Sequence, residues 1–165
     1  KMAMIKLIIT GGTIDKHYNE LNGELSFPET HIPGMLKQAR CTAEIDVQQL
    51  MLKDSLKMTE DDCEQIKKSC LASDAQQVII THGSDTMVDT AKYLAQTIQE
   101  KTIVLFGAMI PYSIKQSDAM FNLGSAIIAV QLLPAGIYIT MNGKVFDWDK
   151  VLKDKQAGDF RASDV

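Results

Sequence analysis

Cysteine is scarce and poorly spaced for a scaffold: only Cys41, Cys63 and Cys70 occur among 165 residues. Three thiols cannot all pair within one chain, and none lies in a CxxC or beside a histidine cluster, which excludes a disulfide framework and a structural zinc site. Cys63 and Cys70 share one stretch of helical character and suit two small buried thiols better than a redox pair. No apolar run approaches the roughly 20 residues of a membrane-crossing helix, so no membrane partner is expected. Positive charge is in deficit. Seventeen Lys and Arg against 21 Asp and Glu leave a formal charge of −4, which turns the reading away from nucleic acid. The start, Lys1-Met2-Ala3-Met4, runs directly into Ile5-Lys6-Leu7-Ile8-Ile9 without a signal-peptide pattern, giving the expectation of a cytoplasmic protein.

Three motifs are missing as well. Gly11-Gly12 is not a GxGxxG fingerprint, and neither GxxxxGK[ST] nor GxSxG occurs, which weakens dinucleotide, P-loop and nucleophile-elbow readings. What is present is ordinary for a globular chain: 45% hydrophobic and 23% charged residues, enough to close one core. Residues 1–165 are expected to form a single domain.

Apolar runs at Ile5 to Thr10, Ala43 to Leu52, Val78 to Thr81, Thr102 to Phe106 and Ala135 to Thr140 read as strands. Between them lie helical spacings. Met35 to Ala39 suits a short helix. Thr59 and Asp62 have capping-box spacing, followed by inward positions at Cys63, Ile66 and Cys70. Further helical periods run from Met87 to Ile98 and from Ser117 to Val130, where Asp118 stands near the start. Ile127, Val130, Leu132 and Leu133 either bury in the core, which is the expectation, or form a partner surface. Residues 15–34 are polar, hold Pro28 and Pro33, and read as one long loop in which Gly23 supplies an unusual backbone angle. The alternation predicts an α/β fold, a three-layer Rossmann-like or flavodoxin-like domain with a mostly parallel sheet.

Three strands end in related glycine turns: Thr10-Gly11-Gly12-Thr13, Thr81-His82-Gly83-Ser84-Asp85 and Phe106-Gly107-Ala108. In such sheets ligands bind beyond the carboxyl ends of the strands. Thr13 is a candidate nucleophile if a base takes its proton, and equally a turn threonine capping a backbone amide. Ser84 carries the same ambiguity. Asp85 either binds a cationic group or caps the helix after it. His82 reads as a satisfied strand-end histidine, because adjacency to Ser84 is not triad geometry. Lys153 is either a pocket base or, like Lys150 and Lys155, a solvated surface charge.

The ordered series Ile9-Thr10-Gly11-Gly12-Thr13-Ile14, Ile80-Thr81-His82-Gly83-Ser84-Asp85-Thr86-Met87, Phe106-Gly107-Ala108-Met109-Ile110-Pro111, Phe121-Asn122-Leu123 and Met141-Asn142-Gly143-Lys144-Val145 resembles the bacterial-type L-asparaginase family. The resemblance covers nearly the whole chain but only the amino-terminal domain of the family's two-domain form, so the family's carboxyl-terminal domain is expected to be absent. The resemblance implies an amidohydrolase acting on L-asparagine, with Thr13 as nucleophile, Ser84 and Lys153 as a proton-handling pair, and Tyr18 assisting from the first loop. It also implies substrate contacts from Asp54, Ser55, Gly83, Ser84, Asp85 and Ala108. Leu56 stands where the family often has a glutamine, and Ile110 where an arginine is usual. No cofactor and no metal are implied. The expected partners are a small amino-acid amide and further copies of the chain, as a homodimer or homotetramer. Two rivals share this pattern: a weakly active or inactive amino-acid-binding module, and a small nucleoside-processing transferase on a similar scaffold.

Overall fold

The computed structural model describes residues 4–163. Lys1-Met2-Ala3, on which the reading of the start partly rests, lies outside them. The elements run β1 (Ile5–Gly11), β2 (His17–Asn19), β3 (Glu24–Ser26), α1 (Ile32–Gln38), β4 (Ile45–Lys53), α2 (Glu60–Ala72), β5 (Gln77–Thr81), α3 (Met87–Ala95) and β6 (Thr102–Phe106). They continue with α4 (Ala119–Leu132), β7 (Gly136–Met141), β8 (Lys144–Asp147), β9 (Val151–Asp154) and β10 (Asp159–Ala162). Six strands make one sheet in the order β4-β1-β5-β6-β7-β8. The first five are parallel, and β8 returns antiparallel to β7.

Alternating residues of each central strand feed two separate cores. Leu7, Ile9, Ile79, Val104 and Phe106 pack with Ile32, Met35, Leu123, Ala126 and Val130 of α1 and α4. Ile8, Val78, Ile80, Ile103 and Leu105 face the other way, against Ile66, Cys70, Met87, Ala91 and Leu94 of α2 and α3. A strand covered on both faces reads as a continuous apolar run, which explains the lack of polar alternation in β5 and β6. The expected three-layer, mostly parallel α/β architecture is present.

The capping box of α2 forms in both directions: Asp62 N donates to Thr59 Oγ1 (3.2 Å) and Thr59 N donates to Asp62 Oδ2 (2.9 Å). All three cysteines are free thiols. Burial pushes the Cys70 thiol up to about 12, so it stays a neutral core group. Lys101 is buried, and its ammonium donates to Ser73 O and Ala75 O, both at 2.6 Å, just beyond the end of α2. Lys101→Met should therefore destabilise the fold by about 3 kcal/mol, since it strands two carbonyls that now receive charge-assisted bonds. Urea unfolding checks this, and an unchanged midpoint would contradict it.

Several expectations need correction. Residues 15–34 are not one loop: β2 and β3 form an antiparallel hairpin with Tyr18 opposite Leu25, and α1 already starts at Ile32. Gly23 does supply the turn, at φ +72°. Pro33 sits in the first turn of α1, where a missing N–H costs nothing. Helix α3 ends at Ala95, although Ile98 remains buried. Ile127 and Val130 are buried as expected, whereas Leu132 faces solvent. The strands β8, β9 and β10 are additional. Among the described residues no helix is long and apolar enough to cross a membrane.

Candidate active site

The site is assembled where β1, β4, β5 and β6 end. Thr10 and Thr81 clamp the first pair of strand ends: Thr10 Oγ1 donates to Thr81 O (2.5 Å), and Thr10 N donates to Thr81 Oγ1 (3.2 Å). The chain then turns through Gly11 and Gly12. Gly12 has φ +87°, and a Cβ there would stand 2.5 Å from Gly83 N. Its own N–H donates to Lys53 O (2.8 Å). Gly83 is pressed just as closely on its other side, where a Cβ would stand 2.5 Å from Ser55 Cβ. Only glycines allow these backbones to meet, and the meeting brings the turns carrying Thr13, Ser84 and Ser55 together.

Thr13 begins a single 3-10 turn and is half-buried. Among the described residues its hydroxyl makes no hydrogen bond and caps no amide, so the capping role does not account for it. Ser84 is 8% exposed. Its Oγ accepts from Lys153 Nζ at 2.7 Å, and the same ammonium donates to Asp85 Oδ1 at 2.7 Å. Lys153 is no surface charge: its side chain is 12% exposed. In β9 the period of two turns Val151 and Lys153 inward and Leu152 outward. Val151 and the neighbouring Phe160 of β10 plug into the core, and Phe160 N donates to Asn142 Oδ1 (2.8 Å). The lysine is thus delivered by an anchored hairpin.

His82 is completely buried, and desolvation lowers its pKa to about 4. Its Nδ1 lies 2.7 Å from Gly83 O, which can only accept, so the proton is on Nδ1. Nε2 then accepts from the Thr90 hydroxyl at 2.7 Å, which leaves Cys63 Sγ, 3.6 Å away, to donate to Thr90 Oγ1. This chain fixes the Gly83 peptide and assigns His82 a structural place. Because the unfolded imidazole titrates near 6.5 and the folded one near 4, the unfolded state binds the extra proton in between. Stability from this group is complete above pH 6.5 and falls by up to about 3 kcal/mol on acidification to pH 4. Denaturation of wild type and His82→Gln across that range should show a flatter profile for the variant; parallel profiles would refute the assignment.

Asp54 Oδ1 accepts from Leu56 N (3.0 Å), and Lys16 Nζ donates to Asp54 Oδ2 (3.0 Å). The Leu56 N–H and then Lys16 hold this carboxyl below its usual range. Ser55 is buried against Gly83, and its carbonyl accepts from Thr86 Oγ1 (3.0 Å). Ala108 is buried at the end of β6. Met109 N and Ile110 N, which follow it, donate to Asp118, and Asn122 Nδ2 donates to Gly107 O (2.9 Å) and Asp118 Oδ2 (3.0 Å). Asp118 therefore braces this loop instead of capping α4 with its side chain. Sequence reasoning overlooked Asp118, Asn122 and Lys16 as site residues. The available signals were the Phe121-Asn122-Leu123 segment of the family resemblance and the four-residue spacing of Asp118 and Asn122, which puts both on one helix face.

The structure does not bring Tyr18 into this cluster. It lies on the hairpin, 60% exposed, with its hydroxyl over the Gly23 turn. The hairpin base is nonetheless held, by Lys16 to Asp54 and by the His17 ring stacked on His31 at 3.8 Å. Next to that stack, buried Asp15 accepts from Thr30 Oγ1 (2.9 Å) and His31 N (2.8 Å). Burial raises the Asp15 carboxyl and lowers His31. A broad groove of about 860 Å³ opens at the opposite end of the strands, lined by Lys6, Asp46, Ser69 and Gln76 among others, and none of the residues above lines it. Among the described residues no group of His, Cys, Asp or Glu is arranged to hold a metal ion.

Residues 4–158 match the family described as Asparaginase, N-terminal. The chain is 29% identical over 161 residues to a probable periplasmic L-asparaginase of Haemophilus influenzae, a match covering 90% of this chain and 46% of that protein. It superposes on the thermostable L-asparaginase from Thermococcus kodakarensis with a TM-score of 0.85 at 25% identity, over 96% of this chain and 51% of that one. For the probable cytoplasmic L-asparaginase from Campylobacter jejuni the TM-score is 0.84 at 28% identity, over 99% and 54%. The chain spans about half the length of the relatives it matches. With the glycine-packed strand ends in the same order as the motifs, and the match extending over residues 4–158, the chain belongs to the asparaginase family.

Proposed function

We propose that this domain hydrolyses the side-chain carboxamide of a small amino-acid amide, with L-asparagine as the reference substrate, giving the carboxylate and ammonia. The observation that carries the proposal is the partly buried Lys153–Ser84–Asp85 cluster, with both contacts of Lys153 Nζ at 2.7 Å, beside the turn that presents Thr13. The Thr13 hydroxyl attacks the amide carbon, and its proton passes by way of Ser84 and Lys153 to the departing nitrogen, which leaves as ammonia. Backbone N–H groups at the Ser84 and Ala108 strand ends stabilise the developing oxyanion. Water then cleaves the acyl-Thr13 ester, returning one proton to Thr13 and releasing the acid. Asp85 holds Lys153, while Ser55 and Gly83 form the floor on which the substrate rests. No cofactor enters either step.

Ammonia release from L-asparagine by the purified protein tests the reading. Turnover is the expected result. Absence of release from L-asparagine, L-glutamine and simple primary amides would overturn it, and calorimetric binding of L-aspartate without turnover would favour an amino-acid-binding module instead.

A further inference from the structure

We infer that Asp118 and Asn122 are positioning residues that aim the Ala108 backbone at the substrate's carboxamide and so make the site selective for amides over esters. The inference rests on the proposed amide hydrolysis and adds how the carboxamide end is recognised. Ala108 is 1% exposed, and the peptide group on each side of it is held from the start of α4. Asn122 Nδ2 donates to Gly107 O (2.9 Å), which fixes the peptide that carries the Ala108 N–H. Met109 N donates to Asp118 Oδ2 (2.9 Å), which fixes the peptide that carries the Ala108 carbonyl. A trans peptide sets its C=O and N–H on opposite sides, so the Ala108 N–H and carbonyl both point away from these two side chains.

The brace is cross-linked. Asn122 Nδ2 also donates to Asp118 Oδ2 (3.0 Å), Ile110 N donates to Asp118 Oδ1 (3.0 Å), and Ser117 Oγ donates to Ile110 O (2.6 Å). It is also tied to the rest of the site. Gly107 leaves no room for a Cβ against His82 O, and His82 N donates to Phe106 O (2.9 Å), so the Ala108 turn is locked to the strand end that leads into Ser84. Tyr112 N donates to Ile14 O (3.2 Å), which ties the same loop to the Thr13 turn. Packing does not account for Asn122. The other buried residues of α4 are apolar, and Asn122 Oδ1 is buried with no partner among the described residues, a cost that an apolar side chain there would not carry. A carboxamide has an acceptor oxygen and a donor NH2, which the N–H and carbonyl of one residue can meet together. An ester oxygen has no hydrogen to give, so a carbonyl aimed at it leaves water without gaining a donor.

The test compares kcat/KM for ammonia release from L-asparagine with that for methanol release from L-aspartate β-methyl ester, in wild type, Asn122→Leu and Asp118→Asn. Leucine keeps the volume of Asn122 without its donors, and asparagine at 118 sets an NH2 against a backbone N–H. Each variant is expected to lose about 10–100-fold on the amide and about threefold or less on the ester. Equal losses on both substrates, as a merely structural role would give, or no loss on either, would overturn the inference. Thermal unfolding checks that the variants are folded, and if Asn122→Leu is not, Asp118→Asn carries the comparison. Calorimetry with L-asparagine and the ester separates the inference from the amidase reading. If no amide is hydrolysed but the variants bind L-asparagine about tenfold more weakly and the ester unchanged, the amidase reading fails and the inference stands. If amides are hydrolysed and both substrates suffer alike, the reverse holds; a wild type that neither binds nor hydrolyses either compound overturns both.

Discussion

Thr13→Ala is expected to lower kcat for amide hydrolysis by roughly 10⁴-fold or more while leaving the fold intact. The two halves of that expectation come from different observations. The Thr13 hydroxyl makes no hydrogen bond among the described residues, so its removal takes nothing from the folded state. The fold at this point is held instead by Gly12 against Gly83 and by the Thr10–Thr81 clamp. Chemistry has no such redundancy, because covalent catalysis without its nucleophile retains only binding and oxyanion stabilisation. Steady-state kinetics together with thermal unfolding check both halves. A variant that keeps kcat would remove Thr13 from the mechanism, and one that unfolds would assign it to the fold.

Lys153→Met is expected to cost about 10²–10⁴-fold in kcat, with a smaller change in KM. Methionine retains the length that fills the space beside Ser84 but cannot carry a proton. The stability cost should be small, about 1 kcal/mol or less, because Asp85 is one-third exposed and water replaces the lost partner. Lys153→Arg separates the two duties of the lysine. A guanidinium can restore the ion pair with Asp85 but does not give up its proton. Stability should recover while kcat stays low; an arginine variant with full kcat would mean that the lysine only holds Asp85 in place.

Much of this fold was legible because the central strands are covered on both faces. Ile79 and Ile80 are consecutive yet serve opposite cores, and such a run leaves little room for another reading. The hairpins were not legible for the converse reason. In β2 and β3 three residues each, all at least partly exposed, carry no core pattern. Asn142-Gly143, with φ +57° and +74°, is a two-residue hairpin turn; it reads as a strand end when the short, half-exposed β8 is overlooked.

The candidate site divides along the same line. Thr13, Ser84, Asp85 and Gly83 follow buried strands, so their convergence could be read from glycine punctuation and parallel topology. Lys153 could not be separated from Lys150 and Lys155 on residue type alone. Its burial depends on Val151 and Phe160 entering the core, a tertiary fact. Tyr18, which the resemblance implies as an assistant from the first loop, sits instead on a hairpin that carries it to solvent. Asp118 illustrates a competing partner: a helix-start aspartate normally serves its own amides, whereas here the loop after β6 offers Met109 N and Ile110 N at 2.9 and 3.0 Å.

The central claim, that Thr13 forms a covalent ester with the acyl group of the substrate, is tested most directly by acid-quenching the protein during turnover of a carboxamide and mapping the adduct by peptide mass spectrometry. The account predicts an acyl mass on the peptide containing Thr13, absent from Thr13→Ala. An acyl group on Ser84 or on another residue, or turnover that accumulates no adduct even when deacylation is slowed at low pH, would contradict it.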